Sequence, residues 1–374
     1  MHLKKICFVT AARSEYGLLK WIMKDIQACE SFQFQLIVTG GHLSREQGHT
    51  IEQILADGFS VSAALDIGLD TSSPLQIASS MGRLSEKISH TFDELKPDYL
   101  MVLGDRYELL SICSAAFIMR IPIIHLSGGD VTEGAIDDGV RNAVTMLAEY
   151  HFPGTEASAE NIMRMRGSAK NIWAVGEPGL DAFYREPLMS RSELSSNLGL
   201  DSSKQWLLMT YHPESQESLE HNLFVVKRCI EAIVKLDHVQ LVATYANADF
   251  GGKQINEYLE QQAAVHAGKI VVIPSLGQLR YLSFMRQASA IIGNSSSAIV
   301  EAPFLGIPVV NIGNRQKGRY QCSNILQCEA KEPDIKEAIE KIITTGKTDV
   351  ADKNYWGSGH TSEQVLEILK RELG

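Results

Sequence analysis

Asp105, Asp130, Glu133, Asp137 and Asp138 fall within one short stretch of the chain, with Arg106 and His125 among them. Carboxylates crowded together repel one another, so one can keep its proton while a neighbour stays ionised. That is the pairing a general acid and a general base need. Taken singly, each acid reads equally well as a solvated loop residue or a helix cap; the group points to chemistry. The surrounding pattern is what gathers them. Tyr99–Leu103 is an apolar run ending at Gly104-Asp105-Arg106, and a second run at 121–126 breaks at Ser127-Gly128-Gly129-Asp130. With the helical pattern between them these runs form a βαβ unit, and open α/β sheets bind ligands beyond the carboxyl ends of their strands.

Other strand ends carry groups suited to an anion. Ala11-Ala12-Arg13-Ser14-Glu15 joins a strand to a helix without GxGxxG, so it is a poor dinucleotide fingerprint. Arg13 can still aim a fork of donors at a phosphate on the helix N-terminus; otherwise Ser14 caps the helix and Arg13 is a surface charge. Gly293-Asn294-Ser295-Ser296-Ser297 follows an apolar strand and opens a helix, making a cradle suited to a diphosphate. Glu301, about one and a half turns on, can accept both hydroxyls of a ribose. The bland alternative is a serine cap followed by a solvent-facing glutamate. His212, in Thr210-Tyr211-His212-Pro213-Glu214, can bond a phosphate oxygen and help a leaving group depart, although a lone histidine at a strand end is more often structural. Arg315, Lys317 and Arg319 follow another strand; beside a diphosphate they would be a clamp, and elsewhere a solvated face.

These loops need a scaffold of alternating strands and helices, and the sequence supplies it twice. At 374 residues the chain is long enough for two domains with separate cores. The first half reads as strands at 6–10, 34–39, 61–67, 99–103, 121–126, 150–152 and 172–175, with helices between, including one at 45–56. Gly176-Glu177-Pro178-Gly179 punctuates the chain. The second half repeats the grammar, with strands at 206–209, 239–243, 270–273, 290–292 and 309–311. We therefore expect a Rossmann-like domain at 1–176, joined by a C-terminal helix at 360–374, and a second, nucleotide-binding one at 177–359. The expected fold class is α/β, two such domains facing across a cleft.

Composition narrows the partners. The net charge of −10 argues against nucleic acid, and no apolar run approaches the roughly 18–20 residues of a membrane span. No signal-peptide pattern opens the chain, and the six cysteines are scattered without CxxC spacing, as expected of reduced thiols in the cytoplasm. No histidine–cysteine grouping has metal-ligand spacing, so no metal is expected.

Together the motifs AARSEYGLL (11–19), TGGHLS (39–44), VLGDRYE (102–108), GGDVTEGAIDD (128–138), YHPE (211–214), GNSSS (293–297) and GNRQKGR (313–319) make the chain resemble the hydrolysing UDP-N-acetylglucosamine 2-epimerases of sialic and legionaminic acid biosynthesis. The resemblance runs nearly end to end and implies the two-domain fold of GT-B glycosyltransferases. It puts Arg13, Arg106, His212, Ser295, Ser296, Glu301 and Arg315 on nucleotide and phosphate positions, and His42, Ser127 and Glu133 on the substrate-binding side. Asp105 and Asp137 fall on carboxylate positions implicated in catalysis, with Asp130 and His212 as further candidates. Many relatives carry Glu in an HxEGG motif where this chain has Ser127, with Asp130 directly after the glycine pair. Asp105 is expected to stay ionised beside Arg106, and Asp130 to take over part of the missing glutamate's role.

The implied reaction converts UDP-N-acetylglucosamine to N-acetylmannosamine and UDP, by elimination to a glycal and hydration. It needs no nicotinamide or other cofactor. The same reaction on UDP- or GDP-linked N,N'-diacetylbacillosamine is the alternative, and a non-hydrolysing epimerase is a close rival. A GT-B glycosyltransferase and a nucleotide-sugar sensor are the readings from other classes. The expected partners are a UDP-sugar, UDP and further copies of the chain, as a homodimer or homotetramer.

Overall fold

The first strands are apolar on both faces because helices cover both faces. In β1 (Lys4–Thr10), Ile6 and Phe8 point one way, against Leu19, Met23 and Ile26 of the helix Arg13–Ala28. Cys7 and Val9 point the other way, against Leu84, Ile88 and Phe92 of the helix Pro74–Leu95. That two-sided burial is what a continuous apolar run in a parallel sheet encodes. The computed structural model describes residues 3–44, 49–131, 136–214, 216–246, 251–347 and 349–374.

Besides β1, the first sheet contains β2 (Phe32–Thr39), β3 (Ala63–Leu65), β4 (Tyr99–Leu103), β5 (Ile123–Leu126) and β6 (Tyr150–Phe152). All pair in parallel, in the order β3-β2-β1-β4-β5-β6. The order reverses between β1 and β4, so the loops leaving these two strands diverge and leave room for a ligand at the sheet's carboxyl edge. The helix Thr361–Leu373 joins the same core through Val365 and Leu369. Its first turn is tied to the buried Asp181, whose carboxylate accepts from the N–H groups of Thr361 (2.8 Å) and Ser362 (2.7 Å).

The second sheet has the same construction. Its strands β7 (Gln205–Thr210), β8 (Val239–Thr244), β9 (Ile270–Ile273), β10 (Ala290–Gly293), β11 (Val309–Ile312) and β12 (Ile325–Cys328) run in the order β12-β11-β10-β7-β8-β9. The reversal here falls between β7 and β10. Leu207, Met209 and Ile292 pack on Val226, Ile230 and Ile233 of the helix Leu219–Val234 and on Ile335 and Ile339 of the helix Glu332–Thr345. The chain divides into one unit of Met1–Ala182 with Gly357–Gly374 and another of Phe183–Trp356. The break at Ala182 lies a few residues beyond Gly176.

Some local expectations need correction. No strand forms at 172–175: Ile172 makes only an isolated bridge to His151. The amides of Trp173 and Val175 do donate to His151 and Pro153, but Pro153 has no N–H with which to answer, so the ladder stops. The helix after β1 begins at Arg13, and its cap is Ala12, not Ser14. Glu15 instead reaches back to accept from the N–H groups of Ala11 (2.9 Å) and Ala12 (3.0 Å). The helix expected over 45–56 begins only at Ile51 and runs to Ala56: His49 has a left-handed backbone (φ 46°) and Thr50 is the cap, while 45–48 lie outside the described residues. The strand β12 and the helix Arg191–Leu198 were not foreseen. Among the described residues, no helix is long and apolar enough to cross a membrane.

Candidate active site

In the first unit, the register pairs Leu103 of β4 with Leu126 of β5, so Gly104-Asp105 and Ser127-Gly128 leave neighbouring strands at one edge. His125 fixes the two exits to each other. Its Nε2 donates to the Gly104 carbonyl (2.9 Å), which leaves Nδ1 to accept from Thr145 Oγ1 (3.2 Å). Burial lowers its pKa to about 4, so the ring is neutral at ordinary pH. The glycines after it are required by space. A Cβ at Gly128 would sit 2.8 Å from the His125 ring, and one at Gly129 2.2 Å from the Ser158 carbonyl.

The acids are gathered by a residue to which the sequence reading gave no role. Arg141, only 2% exposed, pairs through Nη2 with Asp105, while its Nη1 lies 3.2 Å from Asp138 and 2.9 Å from the Asp130 carbonyl. The partner expected for Asp105 was Arg106. Arg106 turns instead to the fully buried Glu108, donating from Nε (3.1 Å) and Nη2 (2.9 Å). A buried carboxylate two residues along is the stronger claim on a guanidinium fork. Asp130 accepts from Ser158 Oγ at 2.6 Å, and with Asp138 it lines a hollow of about 420 Å³. Asp137 is exposed in the first turn of the helix Ile136–Leu147. Glu133 lies outside the described residues.

Ser127 has a left-handed backbone (φ 55°), and its hydroxyl donates to Glu177 at 2.9 Å. Arg13 is exposed at the start of its helix. His42 is fully buried behind that loop, with Nε2 3.0 Å from Thr10 Oγ1 and Nδ1 2.7 Å from Thr50 Oγ1. Both ring nitrogens are thus engaged with threonines, and burial lowers the pKa to about 4. Burial also pushes Glu15, close to Arg106 and Glu108, up to about 7.

In the second unit, the loops after β7, β10 and β11 converge on Asn294. Its fully buried amide accepts from the backbone N–H of His212 and donates to the His212 carbonyl, both at 2.8 Å. Its own carbonyl accepts from Arg315 Nη1 (3.1 Å) and Gln316 Nε2 (2.9 Å). His212 and Arg315, chosen from separate motifs, are therefore held by one asparagine, and Ser295 follows it directly in the chain. Gly293 permits the approach, since a Cβ there would lie 2.1 Å from the Thr210 carbonyl. Burial, and then the charge of Arg315, lower the His212 pKa to about 3. Ser295 caps the helix Ser296–Phe304, and its Oγ lies 3.0 Å from Ser297, which meets the Tyr281 hydroxyl at 2.5 Å. Ser296 is exposed at the first helical position, and burial pushes Glu301 up to about 7. A helix N-terminus with hydroxyls, an arginine and a neutral histidine is equipped to hold a phosphate group.

Two six-stranded parallel sheets, each switching direction where its candidate groups gather, define a protein of the GT-B-like class. The crystal structure of UDP-GlcNAc 2-epimerase from Neisseria meningitidis bound to UDP-GlcNAc has this fold: its TM-score is 0.82, with 17% identity, covering 98% of this chain and all of that one. The family model described as UDP-N-acetylglucosamine 2-epimerase matches residues 24–370, and the chain belongs to that enzyme family. It is 34% identical to the hydrolysing GDP/UDP-N,N'-diacetylbacillosamine 2-epimerase of Campylobacter jejuni, covering 91% of this chain and 88% of that protein. It is 30% identical to the hydrolysing UDP-N,N'-diacetylbacillosamine 2-epimerase of Legionella pneumophila, covering 98% and 96%.

Proposed function

We propose that this enzyme is a hydrolysing 2-epimerase acting on N,N'-diacetylbacillosamine linked to UDP or GDP, releasing the free 2-epimer and the nucleoside diphosphate. The observation that carries the choice of sugar is the likeness to the two relatives named for it, each at 30% identity or more over nine-tenths of the chain. Conversion of UDP-N-acetylglucosamine to N-acetylmannosamine, the first reading of the sequence, is the second here; the bound ligand of the Neisseria structure favours it.

The C2 proton of such a sugar is not beside a carbonyl and is only feebly acidic. It must leave together with the diphosphate: the C2–H pair forms the C1–C2 double bond as the C1–O bond breaks. In our reading, the second unit takes the nucleotide. Arg315 and the start of the helix Ser296–Phe304 stabilise the departing diphosphate, and Glu301 accepts the ribose hydroxyls. A neutral His212 bonds a phosphate oxygen. In the first unit, Asp105, oriented by Arg141, takes the C2 proton. Asp130 and Asp137 are assigned to the return step, in which water adds OH to C1 and a proton to C2 from the opposite face.

NMR of the purified enzyme with UDP- and GDP-diacetylbacillosamine and UDP-N-acetylglucosamine in heavy water tests this directly. We expect free sugar carrying deuterium at C2, with the diacetylbacillosamine substrates consumed fastest. A product still joined to its nucleotide, or lacking C2 deuterium, refutes the reaction; a preference for UDP-N-acetylglucosamine refutes the sugar.

A further inference from the structure

Ser127 stands where β5 ends, beside the Gly104-Asp105 exit of β4, and its backbone is unusual for serine. The positive φ of 55° is held by its N–H, which donates to the Phe152 carbonyl of β6 at 3.0 Å. Left-handed backbone at a non-glycine residue costs free energy and persists only where the surroundings fix it. Behind the half-buried Ser127 is the buried Glu177, whose Oε2 accepts the Ser127 hydroxyl at 2.9 Å. Glu177 is seated against Gly154: a Cβ at Gly154 would lie 1.9 Å from Glu177 Oε1. Its backbone is anchored too, because Gly357 packs against Gly176 so closely that a Cβ there would meet Gly176 Cα at 2.7 Å. A buried acid, a glycine that makes room for it and a serine held in a strained conformation thus converge on one hydroxyl.

The direction of that hydrogen bond decides what the hydroxyl can do. A carboxylate offers only acceptors, so the Ser127 proton is committed to Glu177. We propose that Glu177 is a positioning residue: it fixes the Ser127 hydroxyl so that Oγ presents lone pairs alone and accepts from an N–H or O–H of the bound sugar. This rests on the 2-epimerase reading, and it adds that site's requirement for a sugar donor facing Ser127. Without Glu177 the hydroxyl rotates and can turn its proton toward the same donor, which is repulsive.

The test is a double-mutant cycle on Ser127→Ala and Glu177→Leu, which removes the acceptor, with Gly154→Ala displacing the carboxylate while leaving both residues in the chain. We measure kcat on UDP-diacetylbacillosamine, and affinity for that sugar nucleotide and for UDP by calorimetry. Each single variant should lose about tenfold in kcat or in sugar-nucleotide affinity with UDP affinity unchanged, the scale of one hydrogen bond. Glu177→Leu should cost nothing further once Ser127 is alanine, and Gly154→Ala should match Glu177→Leu. Losses that multiply in the double variant, or a Gly154→Ala enzyme indistinguishable from wild type, overturn the proposal. If the wild-type enzyme releases no sugar, the reaction is wrong, and the cycle in affinity for the sugar nucleotide relative to UDP still decides the role of Glu177.

Discussion

Arg141 and Asp105 are 36 residues apart in sequence and joined side chain to side chain, the arginine 2% exposed and the aspartate 29%. The cation is the buried partner, so its position is set by the core and the acid's position follows from it. Arg141 reaches Asp138 and the Asp130 backbone as well, which makes one guanidinium the template for three acidic residues.

Replacing Arg141 by lysine should therefore damage catalysis out of proportion to stability. Lysine keeps the charge but cannot serve several acceptors in one plane. We expect kcat to fall by roughly 10²-fold or more, as reacting groups move by fractions of an ångström, with UDP affinity nearly intact. Steady-state kinetics beside calorimetry will show it; a large loss of UDP binding would contradict the division of labour.

Asp105→Asn and Asp137→Asn should each lose roughly 10²-fold in turnover, the scale of a lost acid or base. Asp130→Asn should be comparably impaired, since its carboxylate is held at 2.6 Å by Ser158 in the hollow it lines with Asp138. An active Asp130→Asn enzyme would remove it from the reaction.

Glu301→Gln should weaken UDP binding by about 1–3 kcal/mol through lost charge-assisted bonds to the ribose. Burial raises this carboxyl to about 7, and ribose hydroxyls favour the ionised form. Wild-type affinity should then rise as pH passes upward through 7, with a proton released on binding, and the variant should lose that slope. Calorimetry in buffers of different ionisation heat measures both.

Acid should destabilise the fold. Burial lowers His42 and His125 to about 4 and His151 and His212 to about 3, from an ordinary 6.5. Between pH 6.5 and 4.5 the unfolded chain binds protons at these four that the folded chain refuses, so stability falls as pH falls. Glu15 and Glu301, raised from 4.5 to about 7, act in the opposite sense in the same window but are fewer. Thermal melts should shift downward from pH 6.5 to 4.5, and His125→Gln should make the shift shallower. A flat profile would mean that these rings are hydrated.

Much of this was legible in the sequence because the chain writes it locally. Buried parallel strands appear as apolar runs and strand ends as glycine-bearing loops, so the repeated βα grammar emerged from spacing alone. The GNSSS loop announced a strand-to-helix turn in the same way. Interactions set by three-dimensional neighbours were not legible. Adjacency suggested Arg106 for Asp105, whereas the cation comes from a distant helix. Asn294 looked like one polar loop residue among several, yet it clamps His212 at the end of the neighbouring strand, 82 residues away in sequence. Glu177 read as part of a glycine–proline break, because nothing in its neighbours foretells a bond to a serine fifty residues earlier. The strand expected at 172–175 failed because of Pro153 in its would-be partner, which no pattern inside the segment reveals.

The seating of Thr361 and Ser362 on Asp181 also fixes an order of events during synthesis. The second unit is one unbroken segment and can complete itself as soon as it leaves the ribosome. The first unit begins earlier and finishes later, since the helix that covers part of its sheet follows the whole of the second unit along the chain. Until that helix has emerged, the Asp181 carboxylate waits for its two amides and the surface reserved for Val365 and Leu369 stays bare. A premature stop before Thr361 would thus injure the half of the protein made first and spare the half made second.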